Sequence, residues 1–229
     1  MCRSARIVVP GMPHHVTQRG NFRQPVFATD EDRVLYLRLL RESADRSGVR
    51  IWAWCLMTNH SHVIAVPDGM ESLAWTFGRT HAEYARHANS RQGRSGHLWQ
   101  ARFHSCLLDD SHLRTAIRYV ELNPVRAGLV RHAQDYEWSS ARARLRNEPS
   151  PLMDDGCPID DTCEEWRQFL EADSVGDEIR VLRAATRTGW PAAGPEALAE
   201  IERATGRVLH PRKRGRRPGY TMKPAISAG

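Results

Sequence analysis

Lysine is almost absent from this chain of 229 residues. Of its 33 basic residues only Lys213 and Lys223 are lysines, and the rest are arginines. Arginine holds phosphates through two parallel hydrogen bonds and stacks on nucleobases, which lysine cannot do. The composition therefore favours a polyanionic partner. The alternative is that arginine richness only reflects the base composition of the genome.

Two further absences narrow the class of protein. No apolar run approaches the length of a membrane span, and the start, MCRSARIVVPGM, has only three consecutive apolar residues, too few for a secretory signal. The five cysteines are an odd number without a CxxC pair, which argues against a disulfide framework and a cysteine zinc site. We therefore expect a reduced, cytoplasmic protein without a membrane partner.

The charge falls into three blocks. Residues 1–147 have 21 arginines against 13 acidic residues, residues 148–178 have 11 acidic residues against Arg167, and residues 179–229 have 11 basic residues against 3 acidic ones. Two basic blocks around an acidic one indicate a nucleic-acid partner. We predict a large domain at 1–147, an acidic linker at 148–163, a helical extension at 164–206 and a basic tail at 207–229 that is disordered when free.

Hydrophobic periodicity predicts the order of secondary structure. Strands are expected at residues 14–20, 49–57, 60–66 and 101–108, and helices at 29–48, 70–89 and 110–123. Thr29 and Asp32 form an acidic variant of the capping box at the start of the first helix. The order β-α-β-β-α-β-α predicts an α+β fold, the split β-α-β (ferredoxin-like) sandwich, with an antiparallel sheet that carries helices on one face.

The stretch MTNHSHVIAV at 57–66 places two histidines at the start of a strand. Residues i and i+2 point to the same face of a strand, so His60 and His62 stand side by side. This geometry suits two ligands of one metal ion, and it equally suits two polar residues on a solvated face. The pair alone does not decide between these interpretations.

A second polar pair follows in SHLRTAIRYVELNP at 111–124. Tyr119 and Asn123 lie four residues apart at the edge of an apolar helical stripe, so one stacks above the other. Two imidazoles and an amide oxygen could hold a divalent cation, Mg²⁺ or Mn²⁺, with positions left open, and the Tyr119 phenolate could attack a phosphodiester beside it. The alternative makes Tyr119 a residue at the edge of the core and Asn123 a helix N-cap before Pro124.

Five segments together resemble the single-tyrosine HUH transposases, and most closely the REP-associated tyrosine transposases of bacteria. They are PGMPHHVTQRGNFRQPVF at 10–27, WCLMTNHSHVIAVP at 54–67, GHLWQARFHS at 96–105, RYVELNPVRAGLV at 118–130 and DYEWSS at 135–140.

This resemblance covers nearly all of residues 6–145, and it implies a catalytic domain at 1–147 that cleaves and joins single-stranded DNA at palindromic hairpins. It assigns His60, His62 and Asn123 as metal ligands and Tyr119 as the nucleophile that forms a 5′-phosphotyrosine. It also implies a bacterial, nucleoid-associated protein that acts as a monomer or homodimer. Ser61 departs from the pattern, because the middle of the histidine motif is normally bulky and apolar. Since this side chain faces away from the metal, we expect the change to be tolerated, with some loss of packing on the opposite face.

Further residues are predicted to contact DNA. The loop after the first strand could read bases, and the aromatic and charged residues near 99–104 could form a stacking platform. The arginines of RKRGRRPG in the tail are expected to bind phosphates without regard to sequence. The residues are Arg19, Asn21, Arg23, Gln24, Trp99, Arg102, His104, Arg212, Arg214, Arg216 and Arg217. His14 and His15 could contact phosphate or metal, but we interpret them as structural.

Three other functions stay open at this level. A nucleic-acid-binding regulator with an idle site could share the fold, and so could a hydrolytic nuclease that does not join strands. A phosphoesterase with two His-x-Thr/Ser motifs is a third candidate, but HVT at 15–17 has no convincing second copy, since His62 stands where the hydroxyl belongs.

Overall fold

The computed structural model describes residues 5–172 and 176–209 of the chain. Its four strands are β1 (His14–Arg19), β2 (Val49–Met57), β3 (His60–Pro67) and β4 (His104–Leu107). Its helices are α1 (Asp30–Ser47), α2 (Ser72–Arg91), α3 (Asp110–Glu121), α4 (Asn123–Arg126), α5 (Ser140–Arg146), α6 (Cys163–Glu171), α7 (Gly176–Thr188) and α8 (Pro195–Thr205). The predicted order from β1 to α3 is confirmed.

The strands form one antiparallel sheet in the order β2-β3-β1-β4. This is the arrangement of the predicted α+β sandwich, with the hairpin β2–β3 on one side and β4 at the opposite edge. Local signals account for the elements around it. The side chains and backbone amides of Thr29 and Asp32 form the predicted capping box of α1, and Gly48 ends that helix with a φ of 63°.

Helices cover both faces of the sheet, so the expectation of helices on one face only was wrong. Helices α1 and α2 pack on the face that carries Val16, Trp54 and Val63. Helix α3 and the C-terminal helices pack on the opposite face, around Cys55 and Ile64. The physical reason lies in β2, which is buried along almost its whole length and therefore needs cover on both sides.

The C-terminal helices are joined to α3 through one buried carboxylate. Glu121 accepts hydrogen bonds from the Ser140 hydroxyl (2.7 Å) and the Trp166 indole (2.8 Å), and it pairs with Arg144 (3.3 Å). A buried carboxylate with three donors is satisfied and fixes the elements that supply them. Helices α5 and α6 therefore have a defined position beside α3.

The acidic segment also lies against the domain. Leu152 is buried in the core on the α1 side, and the Asp154 carboxylate accepts from the Ile51 amide (2.7 Å) and from Arg41 (2.8 Å). Arg114 and Asp161 form a further pair at 2.7 Å. The segment predicted to be a linker thus contacts the sheet domain, and the division of the chain into domains stays a prediction. No helix within the described ranges is long and apolar enough to cross a membrane.

Candidate functional site

The two histidines of the HSH motif share the face of the sheet that α3 covers. In the register of the strands, Thr17 lies opposite His62 and Arg19 opposite His60. The rings of His60 and His62 are 5.0 Å apart, centroid to centroid, and meet edge to face. The predicted side-by-side arrangement is therefore present. Ser61 points to the other face, where its hydroxyl lies 3.3 Å from the Tyr36 hydroxyl.

Each of these histidines uses its Nδ1 atom in a hydrogen bond. The Nδ1 of His60 lies 2.6 Å from the Asn59 side-chain oxygen, which can only accept, so His60 donates. The Nδ1 of His62 lies 2.9 Å from the Nε2 of His15. Neither Nε2 of the pair has a hydrogen-bond partner among the residues that the structure describes. Both lone pairs are then available on the same side of the sheet.

His15 continues this chain of hydrogen bonds into the C-terminal extension. Its Nδ1 lies 3.0 Å from the Thr186 hydroxyl, which donates to the Leu182 carbonyl at 2.8 Å. Because Thr186 gives its one proton to Leu182, it must accept from His15, and His15 Nε2 must accept from His62. This direction leaves the Nε2 of His62 unprotonated. His15 was interpreted as structural, but it lies in the site and orients His62.

Burial keeps the site histidines neutral. Desolvation lowers the pKa of His15 to about 3 and of His60 to about 4, and it holds the pKa of His62 well below its usual range, with the neighbouring His15 and His60 adding to the effect. Neutral imidazole is the form that binds a metal ion. The lowered pKa values therefore favour these histidines as metal ligands rather than as general acids.

Tyr119 stands beside the histidines on α3. Its ring centroid is 5.9 Å from that of His62 and 5.9 Å from that of His15, edge-on to both. The side chain is partly exposed, and its hydroxyl has no hydrogen-bond partner within residues 5–172 and 176–209. A phenol in this position can meet a substrate that approaches the histidine pair.

Asn123 lies one turn after Tyr119, at the start of α4. Its side-chain NH₂ donates to the carbonyl groups of Tyr119 (3.1 Å) and Val120 (3.3 Å). The N-cap of α4 is Leu122, so the alternative role of Asn123 as an N-cap is excluded. Since the amide nitrogen is engaged, the oxygen is the atom left for a ligand.

Two arginines near Tyr119 were missed by sequence reasoning. The guanidinium of Arg126 lies 4.2 Å from the Tyr119 ring centroid and donates to the Tyr119 carbonyl at 2.6 Å, and that of Arg183 lies 5.9 Å from the ring. Arg126 belongs to the NPVR turn that follows α3. Arg183 comes from α7, far away in sequence, and no local pattern indicates its position.

The loop after β1 is strained and exposes an aromatic ring. Phe22 and Arg23 have φ values of 50° and 58°, in the left-handed region that L-residues rarely adopt, and Phe22 is 93% exposed. Gly20 is required there, because a Cβ atom would lie 2.4 Å from the Gln24 carbonyl oxygen. Two such residues cost about 1–3 kcal/mol each. Sequence reasoning singled out the polar residues of this loop but not Phe22.

The other predicted residues of this loop differ in what they contact. Arg19 lies on the site face opposite His60, and Arg23 is exposed. The Asn21 backbone amide and the Gln24 side chain donate to the Leu98 carbonyl (2.8 and 3.2 Å), and the Asn59 NH₂ donates to the Arg23 carbonyl (3.0 Å). Asn59 thus joins the loop to His60.

The remaining predicted residues divide into three groups. Trp99 packs beside Tyr84 and His81 and donates its indole N–H to the His81 carbonyl (2.9 Å), so it is the one least suited to stack on a base. Arg102 and His104 are exposed at the β4 edge. The tail arginines lie outside the described residues; they are Arg212, Arg214, Arg216 and Arg217.

Comparison with known proteins decides the family. The sequence profile of the IS200-like transposases matches residues 8–123, just over half of the chain. The chain belongs to the IS200-like transposase family. The match begins before β1 and ends at Asn123, so this transposase has the two site histidines, His15 and the tyrosine helix within the family region. No curated protein matches the chain.

One solved structure agrees with the family assignment at the level of the fold. The IS200-like chain is similar to a REP-associated tyrosine transposase bound to a REP hairpin, with a TM-score of 0.52, 20% identity, and coverage of 71% of this chain and 96% of the other. A candidate transposase of Deinococcus radiodurans R1 is 17% identical over 52% of this chain and 96% of its own. Its TM-score of 0.37 is too low to indicate a shared fold.

Proposed function

We propose that this transposase is a metal-dependent single-stranded DNA endonuclease and strand transferase of the HUH type, with Tyr119 as its nucleophile. The observation that carries the proposal is the position of the Tyr119 ring beside the histidine pair on one face of the sheet, where the Tyr119 hydroxyl and the Nε2 atoms of His60 and His62 have no partner among the described residues. Asn123 follows one helical turn after Tyr119, with its amide nitrogen engaged and its oxygen left for a ligand.

The donor set fits a hard or borderline divalent cation such as Mg²⁺ or Mn²⁺. His60 and His62 would hold it through Nε2 and Asn123 through its side-chain oxygen, and both imidazoles have the outer hydrogen bonds that orient metal ligands. The described residues contain no cluster of three or more His, Cys, Asp or Glu that could hold a metal. The proposed set differs because its third ligand is an amide. When bound, the cation polarises a phosphodiester oxygen.

In the proposed reaction the Tyr119 oxygen attacks the scissile phosphorus. A bond forms between that oxygen and the phosphorus, the bond from phosphorus to the 3′ oxygen breaks, and the phenol proton ends on the released 3′ hydroxyl. The product is a 5′-phosphotyrosine. A second 3′ hydroxyl can then attack the same phosphorus and release Tyr119, so strands are joined without another energy source.

Arg126 and Arg183 support this assignment. Both guanidinium groups lie within 6 Å of the Tyr119 ring centroid. The other ring neighbours of Tyr119 are the neutral imidazoles of His15 and His62. Their charge would attract the phosphate and stabilise the negative charge that develops during the attack. We assign them to the binding of the scissile phosphate.

The substrate proposed is single-stranded DNA beside a palindromic hairpin. The related structure bound to a REP hairpin supports this choice. In this chain the strained loop at 20–24 presents Phe22, Arg23 and Asn21 beside the site, with Phe22 free to stack on a base. We propose that the protein acts as a monomer or homodimer in the bacterial cytoplasm, associated with the nucleoid.

The test is covalent capture of DNA. Wild-type protein and Tyr119→Phe are mixed with a labelled library of single-stranded palindromic DNA and Mn²⁺, and the products are separated on a denaturing gel. We expect a protein–DNA band that requires both Mn²⁺ and Tyr119, while Tyr119→Phe binds the same DNA within a few-fold of wild type. If DNA is bound and no band forms, the protein is the alternative, a regulator with an idle site. Cleavage without an attached product indicates a hydrolytic nuclease.

A further inference from the structure

A basic cleft lies at the β4 edge, outside the group of residues around Tyr119. Its volume is about 820 Å³, which gives room for a nucleotide rather than for a single ion. The N-terminal segment, β4 and the end of α7 line it. Its charged and aromatic residues are Arg6, Arg102, Phe103, His104, Arg187, Trp190 and Arg207. We call it the β4 cleft.

The charge of the β4 cleft is of one sign. Four of its lining residues are arginines and none is an aspartate or glutamate, although the chain has 27 acidic residues. None of these four arginines forms an ion pair within the described residues. Arginines elsewhere in the described chain do pair with carboxylates. Because uncompensated guanidinium groups repel one another in a shared cleft, the arrangement favours a polyanion.

The arginines divide into two that build the wall and two that face solvent. Arg6 donates to the Phe103 carbonyl (3.0 Å) and stacks on the Phe103 ring at 3.6 Å, and Arg207 donates to the Ala5 carbonyl (2.8 Å). Arg102 and Arg187 are exposed. Beside them Trp190 is 40% exposed and offers a flat ring. Free cations next to an exposed aromatic ring are the combination that binds single-stranded nucleic acid.

The β4 cleft lies near the site around Tyr119. Thr17 of β1 lies opposite both His62 and His104, so His104 is two strands, about 10 Å, from His62 on the same face. On α7, Arg183 lies beside Tyr119 and Arg187 lines the cleft, four residues and about 6 Å further along the helix. A strand leaving the nucleophile would therefore pass from one arginine to the next.

We propose that the β4 cleft binds the single-stranded DNA that flanks the cleavage position, with phosphates on Arg102 and Arg187 and a base on Trp190. The inference rests on the proposed single-stranded DNA substrate. It adds to it a site to which the C-terminal extension contributes Arg187 and Trp190. The extension is thus part of the DNA-binding surface.

The test measures binding without cleavage. The full chain is titrated into a fluorescein-labelled oligothymidylate in EDTA at several salt concentrations, and the slope of log K against log salt is determined by anisotropy. We expect the double variant Arg102→Gln/Arg187→Gln to bind about tenfold more weakly and to lose about 1.4 from the slope, since each single-strand phosphate contact contributes about 0.7. Trp190→Ala should weaken binding about fivefold and leave the slope unchanged.

The matched control is Arg46→Gln, which removes an exposed arginine from α1 on the other side of the sheet. It should leave both quantities at the wild-type values. A double variant that behaves like this control would overturn the proposal, and so would an equal loss with duplex DNA of the same length. The test is separate from covalent capture: a cleft that fails here leaves the Tyr119 band intact, and a missing band leaves the salt slope measurable.

Discussion

The two faces of the sheet carry the same residue types in opposite states. On the α1 and α2 side, Tyr36 is fully buried, its hydroxyl lies 2.9 Å from His81 and 3.3 Å from Ser61, and four aromatic rings surround it. On the α3 side, the Tyr119 hydroxyl and the Nε2 atoms of His60 and His62 have no hydrogen-bond partner in the described part of the chain. The tyrosine hydroxyl is engaged in the first cluster, and in the second it is unpartnered.

The difference shows that residue type alone does not mark a functional site. Burial raises the pKa of Tyr36 and lowers that of His81 to about 3, so strong shifts are found in the packed cluster as well. What distinguishes the α3 side is that the Tyr119 hydroxyl is unpartnered beside two histidines, His60 and His62, whose Nδ1 atoms are engaged and whose Nε2 atoms are unpartnered within the described residues. We therefore expect changes on the α3 side to affect chemistry, and changes on the α1 side to affect stability.

The largest effect is expected from the matched pair His62→Gln and His81→Gln. His62→Gln removes a proposed metal ligand and should lower the yield of covalent DNA product by about 100-fold or more, with little change in thermal stability. His81→Gln keeps an acceptor for the Tyr36 hydroxyl and should hold the yield within about threefold of the wild type. A well-folded His81→Gln protein without product would show that the division between the faces is wrong.

The next effect concerns the residue that orients His60. Asn59→Leu removes the acceptor for His60 Nδ1 and should weaken Mn²⁺ binding about 10- to 100-fold, as measured by calorimetry on the DNA-free protein. Asn59→Asp keeps an acceptor and should restore most of the affinity. A second pair of variants changes Thr186, the hydrogen-bond partner of His15. Thr186→Val should bind Mn²⁺ more weakly than Thr186→Ser, by a smaller factor than separates the two Asn59 variants. Equal affinities within each pair would contradict the positioning role.

A third prediction concerns the pH dependence of stability on the packed side. Because the pKa of His81 falls from 6.5 to about 3 on folding, the unfolded chain binds a proton at pH 5 that the folded chain does not. The stability that depends on neutral His81 is fully present above about pH 6.5 and is lost as the pH falls towards 3. Between pH 8 and pH 5, this loss lowers the free energy of unfolding by about 2 kcal/mol.

Urea denaturation at these two pH values tests this prediction. Between pH 8 and pH 5, the free energy of unfolding should fall by about 2 kcal/mol less in His81→Gln than in the wild type. If it falls by the same amount in both proteins, His81 does not titrate as its burial implies.

The smallest effect is expected in the loop beside the α3-side site. Phe22→Ala should weaken binding to hairpin DNA with single-stranded flanks about fivefold, without a change in salt dependence, because it removes stacking and no charge. Trp75→Ala, which truncates a 69% exposed aromatic ring of α2, is the matched control and should have no effect. If both variants bind like the wild type, Phe22 does not contact the DNA.

Local sequence signals were sufficient for the scaffold. The bounds of β2 and the capping box of Thr29 and Asp32 match the prediction, because alternation and capping depend on neighbours in the chain. The same is true of His60 and His62, whose common face follows from the two-residue period of a strand. The position of α3 and the C-terminal helices on the second face was missed, although the nearly continuous apolar run of β2 is the signal that indicates cover there.

The contacts that complete the site depend on register and docking. His15 meets His62 because β1 pairs antiparallel with β3 in one register, which the alternation of either strand does not specify. Thr186 and Arg183 reach the site because α7 packs against α3 and β4, and Phe22 is exposed because of a strained turn. These placements are properties of tertiary packing.

The proposed reaction joins Tyr119 to the 5′ phosphate of the DNA. The direct measurement is mass spectrometry of the covalent product after nuclease and trypsin digestion, because cleavage after Arg118 and Arg126 releases the peptide 119–126, YVELNPVR, with one tyrosine. We expect this peptide with a nucleotide phosphate on Tyr119. A nucleotide on any other peptide, with 119–126 recovered unmodified, would contradict it.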